Sequence, residues 1–186
     1  KNIAISPANL LIYQLLELIC DSSDKVCIFT PGFPTYFAAA KYIGLNISEV
    51  PLESSDNFHL KFEHVDEAIA KNPKVIIVNS GNNPTGAVYD KKVLEHLVDK
   101  ASENNIWIIS DETYGMLSFN KTYFSLLELN YNKIVVISSF SKVFSVAGYR
   151  VGYVVADPKV IQKIVLSSST LYSCLPIFVQ EGIQEG

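Results

Sequence analysis

The sequence predicts an α/β fold, a mostly parallel central sheet with helices on both faces. Three observations carry that prediction. Short β-branched runs alternate with stretches of helical periodicity along the chain. Some of those runs are apolar throughout, as in Val75-Ile76-Ile77-Val78, the pattern of a strand covered on both faces. Polar clusters follow the runs directly, at the strand ends where open α/β sheets collect their ligands.

The elements follow in order. Ile3-Ala4-Ile5 reads as a strand-like opening. A helix is predicted over Leu10–Cys20, where Tyr13, Gln14 and Glu17 interrupt the apolar run and argue against a membrane segment. Further strands are predicted over Val26–Phe29, Ile47–Pro51, Val75–Asn79, Trp107–Ser110, Ile134–Ser138 and Tyr149–Val155. Helices are predicted over Thr35–Ile43, His64–Lys71, Asp90–Asn104 and Pro158–Leu171, with a last one from Pro176. Within Asp90–Asn104, Val93, Leu94, Leu97, Val98 and Ala101 recur at helical spacing, which leaves Lys91, Lys92, Glu95 and Lys100 outside. Asp90 suits the N-cap because its carboxylate can accept from free backbone N–H groups.

Composition narrows the class. At 186 residues the chain fits one domain with a sizeable core, and 48% hydrophobic against 18% charged residues excludes a disordered chain. A net charge of −4 with no basic patch argues against nucleic acid as a partner. Cys20, Cys27 and Cys174 lack metal-ligand spacing, and their odd number argues against a disulfide framework; they read as reduced core thiols of a cytoplasmic protein, with no metal site. Lys1 directly precedes a strand-like run and Gly186 follows a helical one, so both ends are expected to be cuts in a longer protein. His59, His64 and His96 have no partner spacing, and neither a G-x-S-x-G elbow nor a G-x-G-x-x-G turn is present.

Three consecutive strands are each followed by reactive groups. Gly81-Asn82-Asn83-Pro84-Thr85-Gly86 follows one, Asp111-Glu112-Thr113-Tyr114 the next, and Ser138-Ser139-Phe140-Ser141-Lys142 the third. The sole arginine, Arg150, stands eight residues after Lys142. A lysine among small hydroxyl residues with one permanent cation beyond it is what pyridoxal 5′-phosphate needs. The amine attaches the aldehyde, and a planar guanidinium clamps the phosphate.

In this order, Asn83-Pro84-Thr85-Gly86, Asp111-x-x-Tyr114, Ser139-x-Ser141-Lys142 and Arg150-x-Gly152 resemble the fold-type I pyridoxal-phosphate enzymes, specifically the class I/II aminotransferases typified by aspartate, tyrosine and aromatic aminotransferases. The resemblance runs from about Ile3 to Gln180. It implies that residues 1–186 form the large, cofactor-binding domain, with an N-terminal segment and a C-terminal small domain lying outside this chain. It also implies an antiparallel last strand and a homodimeric parent.

The resemblance assigns roles by position. Lys142 corresponds to the covalently attached lysine and proton carrier, and Asp111 to the partner of the pyridine nitrogen, the plain alternative for Asp111 being a helix N-cap or turn aspartate. Asn83 and Tyr114 correspond to the pair that bonds the phenolic oxygen, while Asn83-Pro84 also reads as a plain turn. Arg150, Ser139 and Ser141 correspond to phosphate ligands, joined by the backbone N–H groups of Ala8 and Asn9 at a helix start. Phe33, in Pro31-Gly32-Phe33-Pro34-Thr35-Tyr36, matches the aromatic that stacks on the ring. Glu112 receives no role, and Asn82 is the less favoured of the two asparagines.

The implied activity is transfer of an amino group between an L-amino acid and a 2-oxo acid. A lyase, or an enzyme like aminocyclopropane carboxylate synthase, on the same scaffold is an alternative. So is a non-catalytic ligand-sensing domain of a transcription regulator.

Overall fold

The computed structural model describes residues 2–119 and 123–185; Lys1, Gly186 and residues 120–122 lie outside the described residues. Seven strands form one mixed sheet: β1 (Ile3–Ser6), β2 (Lys25–Thr30), β3 (Asn46–Pro51), β4 (Val75–Val78), β5 (Trp107–Asp111), β6 (Ile134–Ser139) and β7 (Gly152–Val155). Their order across the sheet is β1-β7-β6-β5-β4-β2-β3. The block from β3 to β6 is parallel, and β7 is antiparallel to both β6 and β1. β1 therefore points the same way as the parallel block, and its carboxyl end reaches the same edge of the sheet.

Among the described residues there are seven α-helices: α1 (Ala8–Ile19), α2 (Pro34–Ile43), α3 (Phe62–Ala70), α4 (Lys91–Glu103), the single turn α5 (Phe140–Val143), and, after the last strand, α6 (Pro158–Leu171) and α7 (Ile177–Glu185). The alternation of side chains along each strand divides the core in two. Val26, Ile28, Val75, Ile77, Val135 and Ile137 face α1, α2 and α6. Cys27, Phe29, Ile76, Val78, Ile134 and Val136 face α3 and α4. The period-two geometry of strands thus accounts for apolar runs with no polar face.

Local chemistry sets the helix ends. Pro34 and Pro158 occupy first-turn positions, where a missing N–H costs nothing. The Asp157 carboxylate accepts from the Lys159 N–H at 2.8 Å. Gln14, which interrupts the apolar run of α1, is buried and donates to Ser168 Oγ at 3.1 Å, so it ties α1 to α6.

Some boundaries differ from expectation. The first helix starts at Ala8 rather than Leu10, because Pro7 serves as its N-cap. The expected strand Tyr149–Val155 begins only at Gly152. Ala147–Tyr149 is a 3₁₀ turn, and Arg150 has a left-handed backbone with φ 59°, which no strand accommodates. The cysteine expectation holds for Cys20 and Cys27, which are buried, with both thiol pKa values raised chiefly by burial; Cys174 is exposed and is no core thiol.

Ser6, Gly152 and Ser139 lie in one row across β1, β7 and β6. A Cβ on Gly152 would stand 2.6 Å from the Ser138 carbonyl oxygen and 3.0 Å from Ala8 N. This glycine therefore lets the start of α1 close down on the end of β6. We expect Gly152→Ala to lower stability by about 1–3 kcal/mol, the usual cost of overpacking between backbones that cannot yield. Urea unfolding measures it; an unchanged midpoint would mean that the two segments move apart freely.

Candidate active site

Because the five parallel-pointing ends of β1, β2, β4, β5 and β6 share one edge, the segments that follow them converge. They enclose a cavity of about 170 Å³. All ten residues singled out from the sequence line it. Lys142, Ser139 and Ser141 come from the end of β6 and α5, and Arg150 from the turn before β7. Asp111 and Tyr114 follow β5, Asn83 follows β4, Phe33 follows β2, and Ala8 and Asn9 open α1.

Asp111 occupies the end of the central strand and is 6% exposed. Its Oδ2 accepts from the Tyr36 hydroxyl at 2.7 Å, and its Oδ1 accepts from the Thr113 N–H at 3.1 Å. Burial raises its pKa above the ordinary 3.8, while hydrogen bonds from Thr113 and Tyr36 pull it back down. The Tyr36 phenol, 2% exposed, is pushed up by burial and by the neighbouring carboxylate, so it stays a neutral donor.

Asn83 is held through its backbone. Its N–H donates to Asn79 Oδ1 at 2.9 Å, and Asn79 Nδ2 donates to the Asp111 carbonyl at 2.8 Å. One buried amide thus couples the ends of β4 and β5. Asn82 is a brace instead, donating to the Pro31 carbonyl at 3.0 Å and to Thr85 Oγ1 at 2.9 Å. Gly81 has φ +75°, a conformation that favours glycine, and a Cβ there would lie a tight 3.1 Å from Tyr114 Cβ. Its bareness lets Tyr114 sit against the β4 end.

The cations lie on the rim. Lys142 Nζ stands 5.7 Å from the centre of the Tyr114 ring. Arg150 Nη1 donates to the Ala147 carbonyl at 2.8 Å. Ser139 caps α5: its Oγ accepts from Ser141 N at 3.2 Å. Ala8 and Asn9 are the first residues of α1, whose opening N–H groups have no acceptor within a helix. Phe33 meets Tyr36 edge-on at 5.6 Å between centroids. Glu112 turns away, accepting from Ser125 Oγ at 2.7 Å and from Leu126 N at 3.0 Å.

Tyr36, Asn79 and Thr113 also line the cavity and received no role from the sequence, nor did Ile12 and Ala147. Tyr36 stands in the same proline-flanked run as Phe33, three residues on, which places both on one side of α2. That spacing was the available signal. Asn79 gave none, because it reads as the last residue of a strand.

A family model described as aminotransferase class I and II matches residues 3–185. The chain is 32% identical over 178 residues to a probable aspartate aminotransferase of Methanocaldococcus jannaschii, an alignment spanning 92% of this chain and 46% of that one. It is 33% identical over 171 residues to an aspartate aminotransferase of Thermotoga maritima, spanning 91% and 45%. Among solved structures, aspartate aminotransferase from Thermus thermophilus with maleate superposes with a TM-score of 0.92 at 29% identity, over 96% of this chain and 47% of that one. The chain spans about half the length of the curated relatives it matches.

The buried carboxylate carries a pH signature. With a folded-state pKa above the unfolded value of 3.8, Asp111 holds its proton in the folded protein where the unfolded chain has already released it. Its contribution to stability therefore falls as pH rises from the unfolded value through the folded one. We expect Asp111→Asn to raise the urea midpoint of the ligand-free protein at neutral pH. The gain should shrink as pH is lowered toward 3.8. A neutral-pH midpoint at or below that of the unsubstituted protein contradicts this account.

Proposed function

The chain belongs to the class I and II aminotransferases, and from that premise we propose that it is the cofactor-binding portion of an enzyme that moves an amino group between an L-amino acid and a 2-oxo acid using pyridoxal 5′-phosphate. The observation that carries the reading is convergence. One primary amine, one guanidinium, one buried carboxylate, an amide and a phenol, from four separate segments, line a single cavity.

The donor set fits pyridoxal phosphate. Arg150, Ser139, Ser141 and the first N–H groups of α1 are the anion-binding groups, gathered where β1, β7 and β6 lie side by side. Asp111, an acceptor for a protonated ring nitrogen, belongs to the deeper β5 end. Asn83 and Tyr114 supply donors for the phenolic oxygen, and Phe33 an apolar face for the ring. Among the described residues Lys142 is the only lysine lining the cavity, and its Nζ would be the attachment point. When bound, the cofactor supplies an electron-accepting ring that makes the substrate Cα–H bond acidic.

The remaining work falls to this chain's own residues. With the cofactor held, Lys142 Nζ would be the base placed to take and return the substrate Cα proton. Asp111 would favour positive charge at the ring nitrogen. Thr113 and Tyr36 keep its carboxylate from turning away. The curated relatives are named for aspartate, so aspartate is the first amino donor to assay.

Pairing with a second copy suits the surface around this site. Phe144, Tyr149, Ile177 and Phe178 are exposed near the small apolar cluster of Val151, Leu175 and Val179. Among the described residues no helix is long and apolar enough to cross a membrane.

Attachment at Lys142 is the direct test. The whole protein incubated with pyridoxal phosphate should gain a visible absorption band that an amino donor discharges. Borohydride should fix the cofactor to the peptide carrying Lys142, and Lys142→Ala should abolish both band and adduct. Transfer to 2-oxoglutarate should fall at least tenfold in Asp111→Ala, about 1.4 kcal/mol of barrier. Recovery of the cofactor on a different lysine would sink the assignment.

A further inference from the structure

The two ends of β5 carry different chemistry. Asp111 closes the strand at the cavity described above, and Trp107 opens it at the opposite edge of the sheet. The strand between them spans about 13 Å. A hollow of about 350 Å³ lies at this second edge, walled by Trp107, Leu18, Ile19 and Val160. Lys74, Lys133, Lys159 and Lys163 also line it, against a single carboxylate, Asp157. Four positive charges against one negative leave +3 in the hollow, on a chain whose net charge is −4.

The backbone fixes two of these lysines. Lys74 precedes β4 and Lys133 precedes β6, the strands on either side of β5. The Lys74 carbonyl accepts from the Trp107 N–H at 3.0 Å, and the Lys133 carbonyl accepts from the Ile108 N–H at 3.0 Å. Lys133 Nζ stands 5.6 Å from the centre of the Trp107 ring and donates to the Asn105 carbonyl at 3.2 Å. Burial lowers the Lys133 pKa, and repulsion from Lys74 lowers it further. Lys159 and Lys163 stand one turn apart on α6, which has no acidic residue, and like charges at that spacing repel.

Elsewhere the chain neutralises its helix lysines. Lys71 pairs with Glu67, Lys91 with Glu95, and Lys100 with Glu103. Among the described residues none of the four lysines at the hollow makes an ion pair. Asp157 carries the one opposing charge, and its Oδ1 is already turned to the Lys159 N–H. Asp21 and Asp24 act on Cys20, as Lys74 does, but neither lines the hollow. Two repelling lysine pairs thus share one apolar-walled hollow, where the potential of unpaired charge is concentrated. An entering anion relieves both repulsions.

We propose that this hollow is a second ligand site, for a small anion carrying a pyrophosphate group, either free or within a nucleoside diphosphate. Mobile ammonium groups act as point charges on phosphate oxygens, and Trp107 offers a flat apolar wall beside them. The proposal is independent of the cofactor reading, since no residue is shared between the two sites.

Calorimetric titration of the whole protein with inorganic pyrophosphate tests it. Binding should saturate below about 1 mM and weaken as salt is raised. A Lys74→Gln, Lys133→Gln double variant should bind about tenfold more weakly or worse. Asp157→Asn keeps an N-cap side chain but removes the opposing charge, and should bind more tightly. That gain decides the matter if the double variant does not fold, because damage to the fold does not strengthen binding. Lys91→Gln, on α4 and outside the hollow, should change nothing. Adenosine diphosphate separates the sources. Tighter binding than pyrophosphate, with an emission change that Trp107→Phe removes, assigns the nucleotide; equal binding assigns the phosphate chain alone. Absence of binding, or affinities unmoved by the lysine and Asp157 variants, overturns the proposal. So does binding lost in Arg150→Gln but kept in the double variant, which would put the anion in the other cavity.

Discussion

A carboxylate buried at the end of the central strand must be solvated by the protein itself, and the cavity is organised around that requirement. An unpaired charge at Asp111 would be costly, so its surroundings must supply donors. Thr113 does so because the chain turns immediately after β5. Tyr36 does so because α2 crosses that face of the sheet with its buried side toward the strand ends. Asn79 then fixes the strand end itself by holding the Asp111 carbonyl while accepting from Asn83. A group placed for chemistry thereby becomes the reason that three neighbouring segments keep their relative positions. Burial raises the carboxyl pKa of the same group while its hydrogen bonds oppose that rise, so the two effects meet at one side chain.

The frame of the molecule was legible because strand burial writes itself into sequence. Val75–Val78 alternates between two apolar layers and therefore shows no polar face at all. Amphipathic α4 was legible for the converse reason, with Val93, Leu97 and Ala101 buried and Lys92 and Glu103 outside. The Tyr149–Val155 segment misled because its composition favours a strand. Arg150, which lines the cavity, instead takes a left-handed backbone, and local strand propensity does not report that tertiary placement.

The site divides in the same way. Residues whose chemistry is unusual at their place in the chain, such as Lys142 after a buried strand or the lone Arg150, stand out without a structure. Tyr36 does not, since ten tyrosines and ten phenylalanines make a core role the ordinary reading for any one of them. Asn79 is hidden for a different reason. Its amide matters only because β5 lies beside β4, and strand order is not written in either strand.

Charge completes the picture. The chain carries fourteen lysines and a single arginine, and among the described residues one lysine and that arginine line the cavity. A planar, permanently charged fork is the group best matched to phosphate and carboxylate oxygens, and lysine offers a point charge without that geometry. If Arg150 is committed to a phosphate, the cavity retains no second fork for the carboxylate of an amino-acid substrate. On the proposed function Lys142 could not stand in, because its Nζ would have to be free to exchange protons and bonds. Substrate anchoring would then fall to groups other than the ones gathered at this sheet edge. On that reading the two tasks would have different owners: the sheet edge would hold the cofactor, and the choice of amino acid would be made by other groups.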